Sequence, residues 1–129
     1  MNTTHRLRLH VLDETIAVCR LAATAPVPEW ADGSGFVSTT RTRDELSIAC
    51  PQERVPPGVV HQPGYRVLAV EGPLAPDLIG VLRSLAAPLA DAGVPILAIG
   101  TFDTDYVLVR AADLDHALDA LRLAGHVVA

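Results

Sequence analysis

The chain opens on alternation. In Arg6-Leu7-Arg8-Leu9-His10-Val11-Leu12 apolar side chains fall at every second position, the period of a strand with one buried face. Thr15-Ile16-Ala17-Val18-Cys19-Arg20-Leu21 runs back after Asp13-Glu14, so the two segments predict a hairpin with a tight turn. Pro26-Val27-Pro28-Glu29-Trp30 admits only a short helical turn, because its prolines remove donors and restrict their neighbours. After Gly33-Ser34-Gly35 a second strand pair is expected, Phe36 to Thr42 with Glu45 to Cys50. Pro51 to Gly64 has the composition of a linker with one helical turn.

The second half has a clearer grammar. Tyr65 to Val70 reads as a strand, ended by Gly72-Pro73. From Pro76 to Ala92 the residues Leu78, Ile79, Leu82, Leu85 and Leu89 recur at helical spacing and form an apolar stripe. Pro76 suits a first turn, Asp77 favours the positive helix end, and Gly93 supplies the stop. Pro88 conflicts with that helix, since it removes the bond to the Ser84 carbonyl and predicts a kink. Pro95 to Ile99 and Tyr106 to Val109 are strands apolar enough to be central. Asp113 to Ala124 is a second amphipathic helix, with Leu114, Ala117, Leu118 and Leu121 inward, and His126-Val127-Val128 closes as a short strand. The order from Tyr65 is therefore β-α-β-β-α-β, the split βαβ arrangement of ferredoxin-like domains. Right-handed crossovers place both helices on one face of a four-stranded antiparallel sheet. Thr40 to Ile48 echoes Thr101 to Val109: in each a strand ends in Thr-rich polar residues, turns at an acid and re-enters an apolar strand.

Composition narrows what such a fold does. The 129 residues are 50% hydrophobic but only 4% aromatic, so the core is built from Leu, Val, Ile and Ala. The basic residues are all Arg, without Lys, and the net charge is −5; this acidic balance without a basic stripe argues against nucleic acid as a partner. Apolar runs stop well short of the roughly 18–20 residues of a bilayer span, and the start lacks an apolar signal core, so a cytoplasmic protein without membrane contact is expected. Cys19 and Cys50 each sit in an apolar run and read as buried free thiols. The five histidines show no close metal spacing. No nucleophile–base pair can be named, and the sole asparagine, Asn2, does not supply the Arg–Asn pair of a ferredoxin-like acylphosphatase. Gly72-Pro73 and Gly33-Ser34-Gly35 are too short for phosphate loops. Neither catalysis nor a cofactor or metal is implied.

Val94 to Val109, with its Thr101-Phe102-Asp103-Thr104-Asp105-Tyr106 core, resembles the signature of small bacterial tandem ACT-domain proteins. These are related to the ACT modules of aspartate kinases and to the CASTOR arginine sensors. Leu46 to Pro51, Glu71 to Leu74 and Leu85 to Ala90 fit the same pattern. The resemblance implies an α+β fold of two ferredoxin-like ACT units packed side by side. They are an N-terminal unit over residues 1–60, strand-rich and helix-poor, and a C-terminal βαββαβ unit over 61–129. It further implies a regulatory sensor that binds a small-molecule effector, an amino acid, at the interface of ACT units. Thr101, Phe102 and Asp105 meet the Thr-Phe-x-x-Asp pattern of the arginine sensors' ligand loop. The glycine and acid those sensors carry near the preceding helix fall on Ala75 and Leu78, where this chain departs; Asp77 is the adjacent acid.

An amino acid presents a carboxylate and an ammonium, and a site needs a partner for each. Unpaired N–H groups at a helix start suit the carboxylate. Asp103 or Asp105 suits the ammonium, Thr101 either group, and Phe102 an apolar stem. Asp103-Thr104-Asp105 is equally β-turn chemistry, in which short polar side chains bond their own backbone. Ser38 and Thr40 end the equivalent strand of the first unit and complete the candidate set. The alternative to sensing is a ligand-independent interaction module. Sheet edges of this kind pair between chains, so a homodimer is expected, or an unidentified protein partner.

Overall fold

The computed structural model describes residues 5–129; the start of the chain, with Asn2, lies outside the described residues. The strands are β1 (Arg8–Val11), β2 (Ile16–Leu21), β3 (Ser38–Arg41), β4 (Leu46–Pro51), β5 (Val60–Val70), β6 (Leu97–Gly100), β7 (Asp105–Arg110) and β8 (Val127–Val128). The helices are α1 (Val81–Asp91) and α2 (Leu114–Leu123). The described residues up to Leu12 pack with Arg66–Ala129, and Asp13–Tyr65 form the other unit.

The larger unit has the expected order β5-α1-β6-β7-α2-β8 with β1 added. Its sheet runs β8-β1-β5-β7-β6. Five strands therefore replace the expected four, and the β1–β8 pairing is parallel, Arg8 opposite Val127. β1 takes this place because Leu7 and Leu9 share a face with Leu68 and Val70 of β5 and with Val107 and Val109 of β7. Onto that face pack Val81, Leu85 and Leu89 of α1 and Ala117 and Leu121 of α2. Each fully buried Leu or Val contributes roughly 1.5–3 kcal/mol. The expected hairpin of residues 6–21 does not form. β1 pairs antiparallel with the second half of β5 (Leu9 opposite Val70), and β2 pairs with its first half (Arg20 opposite Val60).

Two other expectations change. β6, expected to be central, lies at the edge, pairing β7 alone with Leu97 and Ala98 exposed. Apolar content does not reveal how many neighbours a strand has. α1 begins at Val81 rather than Pro76, because Gly80 adopts a left-handed φ of 83° that interrupts the helix, and Leu78 N–H closes a separate turn on the Ala75 carbonyl. The core stripe is therefore Val81, Leu85, Leu89, while Leu78, Ile79 and Leu82 stay substantially exposed.

Pro88 does sit inside α1, and the structure resolves its conflict. The Ser84 carbonyl, denied an N–H four residues on, receives Nε2–H of the buried His126 at 2.7 Å. With Nε2 donating, Nδ1 is the acceptor, and it takes the Leu7 N–H at 3.0 Å. One neutral imidazole thus joins α1, the entry to β8 and the entry to β1. Ser84 Oγ continues the network, donating to the Gly80 carbonyl (2.8 Å) and accepting from His5 N–H (3.0 Å).

In the smaller unit the order is β3-β4-β2 and then the first half of β5, all antiparallel. The core joins Ala17 and Cys19 of β2 to Leu46, Ile48 and Cys50 of β4. Trp30, on a 3₁₀ turn over Glu29–Ala31, packs against that core. Pro51 to Gly64 is less of a linker than its composition implies, since a 3₁₀ turn over Gln52–Arg54 precedes a strand already running at Val60. Where the β2–β5 register shifts, two steps of β2 from Ile16 to Val18 face three of β5 from Gln62 to Tyr65. Pro63 and Gly64 fall in that bulge, where a missing donor and a φ of 83° are tolerated. Cys19 and Cys50 are buried free thiols. They are diagonal neighbours, Cys19 opposite Ile48 and Cys50 opposite Ala17. Burial, and then the adjacent Cys50, pushes the Cys19 thiol from 9.0 up to about 11, and burial also raises Cys50.

Two outcomes are expected. Replacing His126 by Phe strands the Ser84 carbonyl and the Leu7 N–H, and should lower the stability measured by urea unfolding by about 2 kcal/mol or more. In a Pro88→Ala background, where residue 88 regains a donor for Ser84, the same replacement should cost about 1 kcal/mol less, read as the coupling of a double-mutant cycle. The raised thiol pKa of Cys19 means that its contribution is complete below pH 9 and is lost as pH climbs toward 11. Urea midpoints should decline through that window, and Cys19→Ala should flatten the decline.

Candidate ligand-binding site

The β6–β7 turn is built from its own side chains. Thr101 N–H donates to the Thr104 carbonyl (2.8 Å), Thr101 Oγ1 donates to the same oxygen (3.1 Å), and Thr104 N–H donates back to Thr101 Oγ1 (3.3 Å). The β3–β4 turn repeats this arrangement. Thr42 N–H bonds the Glu45 carbonyl at 2.9 Å, and Thr42 Oγ1 receives Glu45 N–H at 3.2 Å and Asp44 N–H at 3.1 Å. The echo noticed in the sequence is thus a shared Thr-x-Asp-x turn, with Thr42 corresponding to Thr101 and Asp44 to Asp103. Of the alternatives weighed for the 101–105 string, the turn chemistry is observed. Thr101 is committed to the turn, and the turn in turn presents its carboxylates.

Two bonds hold this turn against the end of β5. Leu74 N–H donates to the Asp103 carbonyl at 2.7 Å, and Thr104 Oγ1 donates to the Val70 carbonyl at 2.7 Å. The approach is so close that a Cβ on Gly72 would stand 3.1 Å from both the Asp103 oxygen and Thr104 Cβ. The Gly72–Pro73 bond is cis. Beyond it lies a concavity of about 280 Å³. One wall is Leu74, Ala75, Pro76, Leu78 and Val81; the other is the turn itself, Thr101 to Asp105. All of these residues belong to the unit that contains α1 and α2.

Of the residues singled out from the sequence, Thr101, Phe102, Asp103 and Asp105 line this concavity together. Asp77 is exposed and not among the lining residues, and with α1 starting at Val81 it is not a first-turn acid either. Phe102 is fully exposed at the tip, so it covers no stem as the chain stands. Ser38 and Thr40 lie on β3 of the smaller unit, paired with Ala49 and Ser47, and do not line the concavity. The helix start expected at Pro76 falls instead at Val81, where α1 has neither a side-chain cap nor an acid in its first turn. Sequence reasoning missed the apolar wall. Leu78 had been assigned to the helix stripe, and the displaced helix start is what frees it.

A family model of the ACT domain matches residues 60–122, and a second model, of an N-terminal domain, matches residues 14–58. The chain is an ACT-domain protein. Protein Atu0741 from Agobacterium tumefaciens is 42% identical and superposes with a TM-score of 0.93, covering 98% of this chain and 94% of that one. The cytosolic arginine sensor for mTORC1 subunit 1 of Bos taurus is 31% identical over 97 residues, 67% of this chain. The chain spans 30% of the length of that relative. The ligand-free regulatory subunit of aspartate kinase from Thermus thermophilus shares the fold at a TM-score of 0.53 and 15% identity, with 88% of this chain and 96% of that one covered. Among the described residues of the ACT-domain chain, no helix is long and apolar enough to cross a membrane.

Gly72→Ala should destabilise the chain by about 1–3 kcal/mol, because its new methyl meets a backbone oxygen and a Cβ rather than the far end of a flexible side chain. Hydrogen exchange should localise the damage, with faster exchange of the Leu74 amide and no change at the Thr42–Glu45 turn.

Proposed function

We propose that this ACT-domain protein is a regulatory sensor that binds a free amino acid in the concavity between the Thr101–Asp105 turn and the start of α1. The observation that carries the reading is the pairing of opposites across that space. The carboxylates of Asp103 and Asp105 stand on one side, and on the other lies the first turn of a helix with no acid and no side-chain cap. An ammonium goes to the first and a carboxylate to the second. A volume of about 280 Å³ sits at the small end of ligand cavities, which suits a single amino acid and not a nucleotide. The likeness to an arginine sensor supports the same class of effector. The protein binds its effector without converting it. Its two thiols are buried, with pKa values raised away from nucleophilic use. It works in the cytoplasm as a homodimer and hands the binding free energy to a protein partner.

A second reading, a ligand-independent interaction module, draws on the wholly exposed Phe102 and the open edge of β6. One variant separates the two. Calorimetry and thermal shift of the full chain against the twenty amino acids should find a binder that adds about 2.7 kcal/mol at a hundred times its Kd. Asp105→Asn should abolish that gain while leaving oligomer size unchanged. The absence of any shift with the unmodified chain would reject the sensor and leave the module.

A further inference from the structure

The walls of the concavity differ in kind, and the difference limits what fits between them. The turn contributes two carboxylates, and no Arg, Lys or His is among the lining residues. The hydroxyl protons of Thr101 and Thr104 are spent, the first on the Thr104 carbonyl and the second on the Val70 carbonyl. Facing them, Leu74, Ala75, Pro76, Leu78 and Val81 offer no acid, amide or hydroxyl side chain. We infer that the site selects amino acids with an aliphatic side chain, and that Leu78 is the residue that sets this choice. The inference rests on the amino-acid reading above and adds the side-chain class to it.

Each competing class fails for a separate reason. An acidic amino acid brings a second carboxylate into a space that already holds two, with no cation to receive it. A lysine or arginine whose α-ammonium is shared by Asp103 and Asp105 has its distal cation along the apolar wall, where it loses water and meets no acceptor side chain. An aliphatic stem meets the wall at no such cost. Each added methylene that the wall covers tightens binding about fourfold. Leu78 is the suitable control point because the residue is 44% exposed, and its backbone is fixed by the turn onto Ala75. A change there alters the wall without opening the core that Val81, Leu85 and Leu89 share with the sheet.

The test is calorimetric titration of the full chain with glycine, L-alanine, L-valine, L-leucine, L-aspartate, L-lysine and L-arginine. Affinity should rise from glycine through alanine to valine and leucine by about fourfold per methylene, and aspartate should bind at least ~10-fold more weakly than leucine. Leu78→Glu should weaken leucine ~10-fold and place lysine or arginine above it. A wild-type protein that prefers lysine, arginine or aspartate overturns the inference and leaves amino-acid sensing intact. So does a folded Leu78→Glu protein whose ranking is unchanged. Where Leu78→Glu does not fold, the wild-type ranking alone decides. Failure of every amino acid to bind overturns both readings.

Discussion

A single backbone oxygen organises the larger unit. Pro88 takes from the Ser84 carbonyl the donor that an uninterrupted helix would supply, and a buried acceptor without a partner is costly. His126 answers from 42 residues away, and in doing so its ring is fixed as the neutral tautomer with Nδ1 free to accept. The Leu7 N–H fills that position. The carbonyl that the proline leaves without its helical donor is therefore met by a residue that also fastens the entries to the final strand and the first strand. Remove the imidazole and three elements lose their common fastening, not one.

The candidate site inherits its rigidity from the same neighbourhood. Ser84 also ties back through its hydroxyl to Gly80, the left-handed residue at which α1 starts, so the helix start that forms part of one wall is held by the network around His126. The opposite wall is fastened separately, by the Asp103 carbonyl and the Thr104 hydroxyl on the end of β5. A concavity with both walls pinned needs little reorganisation to accept a ligand, and the affinity otherwise spent on ordering loops stays available. What differs between the walls is chemistry, with charge on the turn and hydrocarbon on the segment before α1.

Much of this was legible from the order of residues, and the rest was hidden for physical reasons. The βαββαβ sequence of elements followed from periodicity, and the likeness to ACT proteins followed from the Thr101–Tyr106 string. The Thr-x-Asp-x turns left a visible echo because the same local hydrogen bonds need the same side chains. Strand partners left none. Arg6 to Leu12 has the alternation of any half-buried strand, which says that a face is covered but not by which elements. The start of α1 was misplaced because Leu78 and Leu82 continue the helical spacing, whereas a single positive φ at Gly80 breaks it. Pro63 and Gly64 read as linker because their cost in a strand vanishes only at a bulge, which depends on the opposing register. Pro88 announced a missing bond, but nothing local pointed to His126 as the replacement.

The placement of β1 carries a consequence for how the chain comes into being. β1 precedes its neighbour β8 by most of the sequence, and the Leu7–His126 bond spans 119 residues. Until β8 has been made, the strand that carries Leu7 and Leu9 has one flank unpaired. A pairing so distant in sequence makes closure of the sheet a late, loop-limited event. The smaller unit, whose pairings all lie between residues 13 and 65, is free of that delay and can order while translation continues.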